Sequence, residues 1–183
     1  MKFVIIPSDK SLYSNDFSSI LTEQGFDYAD KLAAIIDEIN PDIIYSSPFI
    51  RALQTIYPYC VEHKKNVNVE YSLSPMERFD SKYQYFTPSL ITHKEHFSYI
   101  YNIIDDTYKT KTLPSNIIRN ETTVDIGNRL YPFLYSLKKK YENKKFTVVL
   151  VTHLDIYPII INYLQNKEEY TISKESRIYS IDV

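Results

Sequence analysis

The chain has 183 residues and a net charge of −2, with acids and bases intermixed, one cysteine and only two glycines, Gly25 and Gly127. Those numbers exclude a glycine-rich phosphate loop and an internal disulfide, and the lack of a basic excess argues against nucleic acid as a partner. No apolar run approaches the roughly 20 residues that cross a bilayer, and Lys2 to Ile6 is too short for a signal-peptide core. The expectation is one soluble, cytoplasmic domain over residues 1–183, with no membrane contact, large enough to bury its core without metal or cofactor.

Lys2-Phe3-Val4-Ile5-Ile6 is a continuous apolar run ended by Pro7, the pattern of a strand buried on both faces, and Pro7 to Ser11 reads as a loop. Thr22 can cap a helix carrying Phe26, Ala29, Ala33 and Ile36 on one stripe with Leu32, Ile35 and Ile39 beside it, closed by Asn40-Pro41. Asp42 to Tyr45 is a second strand. Ser47 can then cap a helix with Pro48 at its first position, running towards His63, in which Pro58 predicts a kink or an early stop. Val67 to Glu70 makes a third strand, and this alternation specifies an α/β fold with a largely parallel central sheet.

From Tyr71 to Asn120 the alternation lapses, as in insertions that cover or shape a site, so 71–120 is read as a lid region with a helix around Ser89 to Asp106. A long helix is predicted from Thr122 or Thr123 to about Tyr141, burying Val124, Leu130, Phe133, Leu134 and Leu137 and exposing the lysines at its end. Phe146 to Val151 is the clearest strand. Asp155 can cap a last helix through about Leu164, with Pro158 in its first turn, and Arg177 to Asp182 alternates as a closing edge strand.

In open α/β sheets, ligands bind beyond the carboxyl ends of the strands. Here those ends carry Pro7-Ser8-Asp9, Ser46-Ser47-Pro48 and Thr152-His153, which brings Ser8, Arg51 and His153 toward one crevice. Arg51 falls near the first turn of its helix, where a cation opposes the helix dipole; a bound anion would account for it, and a solvated surface arginine is the plainer alternative. His153 reads either as a partner in that site or as a satisfied structural side chain.

These motifs resemble those of the histidine phosphatase superfamily, also called phosphoglycerate mutase-like. Leu21-Thr22-Glu23-Gln24-Gly25 looks like its LTxxG helix start, and the run Ser47 to Thr55 looks like its SPLxRAxQT segment. Glu121-Thr122-Thr123 followed by Arg129 is similar to the ES…R opening of the late helix, and Val149 to His153 resembles the VxVSHG segment. The resemblance implies a three-layer α/β/α sandwich whose insertion after the third strand supplies a general acid. It also implies Arg51 and His153 as phosphate ligands, joined by Ser11 and Asn15, and Glu77 as the acid, with Glu70 and Glu95 as alternatives.

The chain departs from the family at the RHG motif that closes the first strand and supplies the phosphoryl-accepting histidine. It reads Pro7-Ser8-Asp9 there, and its first histidine is His63. The leading expectation is therefore a pseudoenzyme that keeps an anion pocket for a phosphorylated small molecule, a phosphopeptide or a protein. One alternative is an active phosphoesterase or phosphomutase using Ser8 as nucleophile and His153 as base. The other is a pure interaction module presenting its many tyrosines.

Overall fold

The computed structural model describes residues 1–8, 19–76, 97–118, 120–166 and 178–183. Its sheet has the order β3-β2-β4-β1-β5, formed by β1 (Lys2–Pro7), β2 (Ile43–Ser46), β3 (Asn68–Val69), β4 (Thr147–Thr152) and β5 (Tyr179–Asp182). Every pairing is parallel except that of β5, which runs antiparallel to β1. Alternation along the central strands sends Phe3, Ile5, Val148 and Leu150 into one core and Val4, Ile6, Val149 and Val151 into another. Helices α1 (Glu23–Ile39) and α2 (Ile50–Glu62), with the single turn α3 (Ser98–Tyr101), pack on the second core. Helices α4 (Thr123–Lys140) and α5 (Tyr157–Gln165) cover the first, which completes a three-layer α/β/α sandwich.

The helix boundaries follow local chemistry. Thr22 caps α1 by accepting from the Gly25 N–H at 3.1 Å, and Asn40 ends it in the left-handed region. Thr122 opens α4 with a reciprocal capping box to Asp125. The buried stripes are narrower than the sequence suggests: Phe26 and Ile35 on α1 and Val124 on α4 are exposed, and Ile126 takes the core position expected of Val124. Residue 124 lies in the first turn of α4, where the helix has just left the loop and its outward face meets solvent.

Two expected caps fail. The residue preceding α2 is Phe49, so Ser47 and Pro48 lie outside the helix, and α2 runs past Pro58 to Glu62. Ile156 precedes α5 with no side-chain cap; the Asp155 carboxylate instead accepts the Met76 N–H at 2.8 Å. Both side chains bond partners distant in sequence, Ser47 to the His153 ring and Asp155 to the Met76 N–H.

In the stretch after β3, the part of the expected helix within described residues is the short α3, and residues 89–96 lie outside them. Residues 104–112 fold back along the β3 edge, through a parallel bridge from Val67 to Ile104 and through the Glu70 carboxylate. That carboxylate is fully buried and accepts from the Ser72, Lys111 and Thr112 N–H groups and from the Ser72, Tyr108 and Thr110 hydroxyls. Glu70 is thus a structural hub with its lone pairs committed, which corrects its reading as an alternative general acid.

Candidate functional site

The register of three neighbouring parallel strands builds the site. Pro7 pairs with Thr152, and Ser46 pairs with Val151, so β1, β4 and β2 stop side by side. The residue after each strand is Ser8, His153 and Ser47 respectively. Two extra ladder bonds hold them there, from Ser8 N–H to the Thr152 carbonyl at 2.8 Å and from Ser47 N–H to the Val151 carbonyl at 2.9 Å. All three residues are buried.

The imidazole of His153 lies between the two serines, with Nδ1 3.3 Å from Ser8 Oγ and Nε2 2.8 Å from Ser47 Oγ. Burial, then the nearby Arg51 and Arg129 guanidinium groups, push its pKa well below the usual histidine value. It is therefore neutral, with one N–H and one lone pair. If Nε2 carries the proton it donates to Ser47, and Nδ1 can accept from the Ser8 hydroxyl. Ser47 Oγ also receives the Phe49 N–H at 3.4 Å, so an oxygen that would have capped a helix orients a histidine instead.

Arg51 lies in the first turn of α2 and is buried. Its guanidinium carbon sits 4.7 Å from the centre of the Phe49 ring, and Phe49 in turn meets the His153 ring edge-on at 5.1 Å. Phe49 thus touches both the cation and the imidazole, and all three residues are buried, where charge interactions are stronger than in water.

A second arginine braces the floor. Arg129 binds Glu121 at both carboxylate oxygens, Nε to Oε1 at 2.6 Å and Nη2 to Oε2 at 2.9 Å. Its remaining donors reach the carbonyls of Ser72, Ser74 and Pro75 at 2.6, 3.0 and 3.1 Å. Thr152 Oγ1 donates to the Leu73 carbonyl at 2.9 Å, so the turn after β3 is stitched to the end of β4 beside His153.

Of the residues the sequence singled out, Ser8 touches His153, and Arg51 reaches the Phe49 ring that packs on that imidazole. Ser11, Asn15 and Glu77, together with Asp9 and Glu95, lie outside the described residues. The sequence reading missed Ser47 as a histidine partner, and the readable signal was its position directly after a strand that neighbours β4. Among the described residues no cluster of three or more His, Cys, Asp or Glu is arranged to hold a metal, and no helix is long and apolar enough to cross a membrane.

Among solved structures, the alpha-ribazole phosphatase from Shigella flexneri superposes with a TM-score of 0.65 at 16% identity, covering 100% of this chain and 91% of that one. A histidine-to-alanine mutant of phosphoserine phosphatase from Entamoeba histolytica, in complex with phosphoserine, gives 0.62 at 21% identity over 98% and 89%. The mycobacterial glucosyl-3-phosphoglycerate phosphatase complexed with inorganic phosphate gives 0.60 at 17% identity over 90% and 79%. At these identities the likeness establishes the fold. No curated protein sequence matches the chain. The family model of the histidine phosphatase superfamily (branch 1) matches residues 10–175, nearly the whole length, and the chain belongs to that superfamily.

Proposed function

We propose that this chain binds a phosphorylated small molecule or phosphopeptide at the ends of β1, β2 and β4 through Arg51 and His153, and does not run phosphohistidine chemistry. The observation that carries the reading is the residue directly after β1: a serine, 3.3 Å from His153, in a chain with no histidine before His63. Removing the nucleophile from catalytic groups that act as a unit typically costs several powers of ten in rate. Anion recognition depends on donors and cations, and Arg51 and a His153 N–H persist. The phosphoserine-bound mutant supports the compatibility of a histidine substitution with ligand retention in this fold.

The test pairs turnover with binding. Incubation with p-nitrophenyl phosphate and with phosphoglycerates should give no hydrolysis above background, while inorganic phosphate should raise the melting temperature. At a ligand concentration of about 100 Kd the stabilisation is about 2.7 kcal/mol, or roughly 5–10 °C for a protein of this size. Turnover of about 1 s⁻¹ or faster, within the ordinary enzyme range, would overturn the reading, as would a melting curve indifferent to phosphate.

The contact between Ser8 and His153 also favours a second reading, in which Ser8 Oγ attacks phosphorus, its proton passes to His153 Nδ1 and the ester oxygen leaves. The depressed basicity of His153 weighs against it, because a good general base titrates near the working pH. Mass spectrometry of the protein quenched during turnover decides: phosphate on Ser8, lost with the Ser8→Ala substitution, would establish the serine route.

A further inference from the structure

We infer that the outward face of α4 docks a second copy of this chain, in antiparallel register with a twofold axis passing between Tyr131 and Pro132. Opposite its core stripe α4 carries Val124, Asn128, Tyr131 and Tyr135, a 4-3-4 spacing that keeps side chains on one line along a helix. Val124, Tyr131 and Tyr135 are 68%, 40% and 59% exposed. The Tyr131 ring is held in place before any partner arrives: it stacks on Tyr163 of α5 at 4.7 Å and lies over Gly127, where a Cβ would come within 2.9 Å of it. An aromatic ring braced in this way loses little freedom on association, and tyrosine is among the residues that anchor interfaces.

Gly127 and Pro132 both weaken a helix interior, and this face gives each a use. Gly127 seats Tyr131. Pro132 has no N–H, so the Asn128 carbonyl one turn back lacks its helical donor. In the antiparallel register Asn128 stands opposite Tyr135 of the second copy, whose phenol can donate to that carbonyl, and the twofold axis makes the contact twice. Charge selects a second copy as the occupant. The Asp125 carboxylate, hydrogen-bonded to Thr122, and the Lys139 ammonium form no ion pair among the described residues, and they lie near opposite ends of the line. Reversing the second helix sets Asp125 beside Lys138 and Lys139 of the other copy at both ends, whereas a parallel pair would set like against like. The Asp125 flank also borders a cleft of about 370 Å³ between α4 and residues 111–118, lined in part by Ile118, Asp125, Asn128 and Pro132, with room for the incoming lysine stem.

The 18 residues of α4 span about 27 Å, which puts the patch at the small end of protein interfaces and the dimer in the micromolar range. Sedimentation velocity of the full chain between about 1 and about 200 μM should therefore show monomer passing to dimer. Tyr135→Ala removes an exposed ring and should raise the dissociation constant about tenfold or more, without changing the melting temperature measured at about 1 μM. Val124→Cys mixed with Lys139→Cys should crosslink through a short bismaleimide, and neither variant alone should, because the register opposes position 124 to position 139; Cys60 is buried and does not compete. A chain that stays monomeric throughout, an association that Tyr135→Ala leaves intact, or crosslinking of Val124→Cys with itself would each overturn the inference.

Discussion

Replacing Glu121 by Gln would test how the floor of the site is held. The substitution keeps the shape of the side chain and removes its charge, leaving the Arg129 guanidinium buried against three carbonyls with no counterion. The two side chains are 4% and 1% exposed, so solvent screening offers no relief, and breaking such a pair from one side typically costs about 3–5 kcal/mol. Against a total stability of about 5–15 kcal/mol this is a large fraction. With a urea slope of about 2 kcal/mol per molar, the unfolding midpoint by circular dichroism should fall by roughly 2 M. The double substitution Glu121→Leu with Arg129→Met separates pairing from bracing. If the pair served only itself, two apolar side chains would restore stability. Because Arg129 also satisfies the Ser72, Ser74 and Pro75 carbonyls, the double variant should remain destabilised by about 1–3 kcal/mol for each carbonyl left dry. A single-variant cost below about 1 kcal/mol, or a double variant as stable as the parent, would refute this account.

Three further outcomes follow from the same geometry. His153 titrates lower in the folded than in the unfolded chain, so as pH falls below about 6.5 the unfolded state takes up a proton that the native state refuses. Stability should then decline with falling pH by up to about 1.4 kcal/mol per unit, and His153→Gln should flatten that part of a denaturation profile. Cys60 is buried with its thiol pushed up to about 12 by burial, so a thiol reagent should label native protein only as fast as the protein opens, which a comparison of labelling and unfolding rates would check. Ser47→Ala deprives His153 Nε2 of its partner and should cost about 1–3 kcal/mol while altering the imidazole nitrogen shifts in NMR; unchanged shifts would mean that Ser47 does not set the tautomer.

Much of the fold could be read from patterns that depend on near neighbours alone. The continuous apolar runs at Phe3–Ile6 and Val148–Val151 announce strands covered on both faces, and Thr22 and Thr122 mark helix starts because a cap bonds within its own first turn. The misplaced caps fall where a polar side chain had a choice. Ser47 and Asp155 both stand where a helix begins, and the local rule makes each a cap. In the folded chain Ser47 turns to His153 and Asp155 to the Met76 N–H, 106 and 79 residues away in sequence. Glu70 shows the same limit: its acceptors serve donors some 40 residues downstream, which no local pattern reveals.

The site divides along the same line, and this bears on what the residue after β1 does for its neighbours. Arg51 and His153 are held by elements whose stability does not involve residue 8: α2 packs into the second core, and β4 is paired on both sides. The His153 ring keeps a strong partner in Ser47 and a wall in Phe49, neither of them on β1. Ser8 adds only a 3.3 Å contact from its side chain, while its backbone N–H bonds Thr152 whatever side chain it carries. A change of residue at the end of β1 therefore alters chemistry without disturbing the cradle. Ser8→Ala should accordingly shift stability by no more than about 1.5 kcal/mol, the worth of one ordinary hydrogen bond, and leave phosphate-induced stabilisation in place. A collapse of anion binding in that variant, with the fold intact, would mean that the serine hydroxyl is itself a ligand contact.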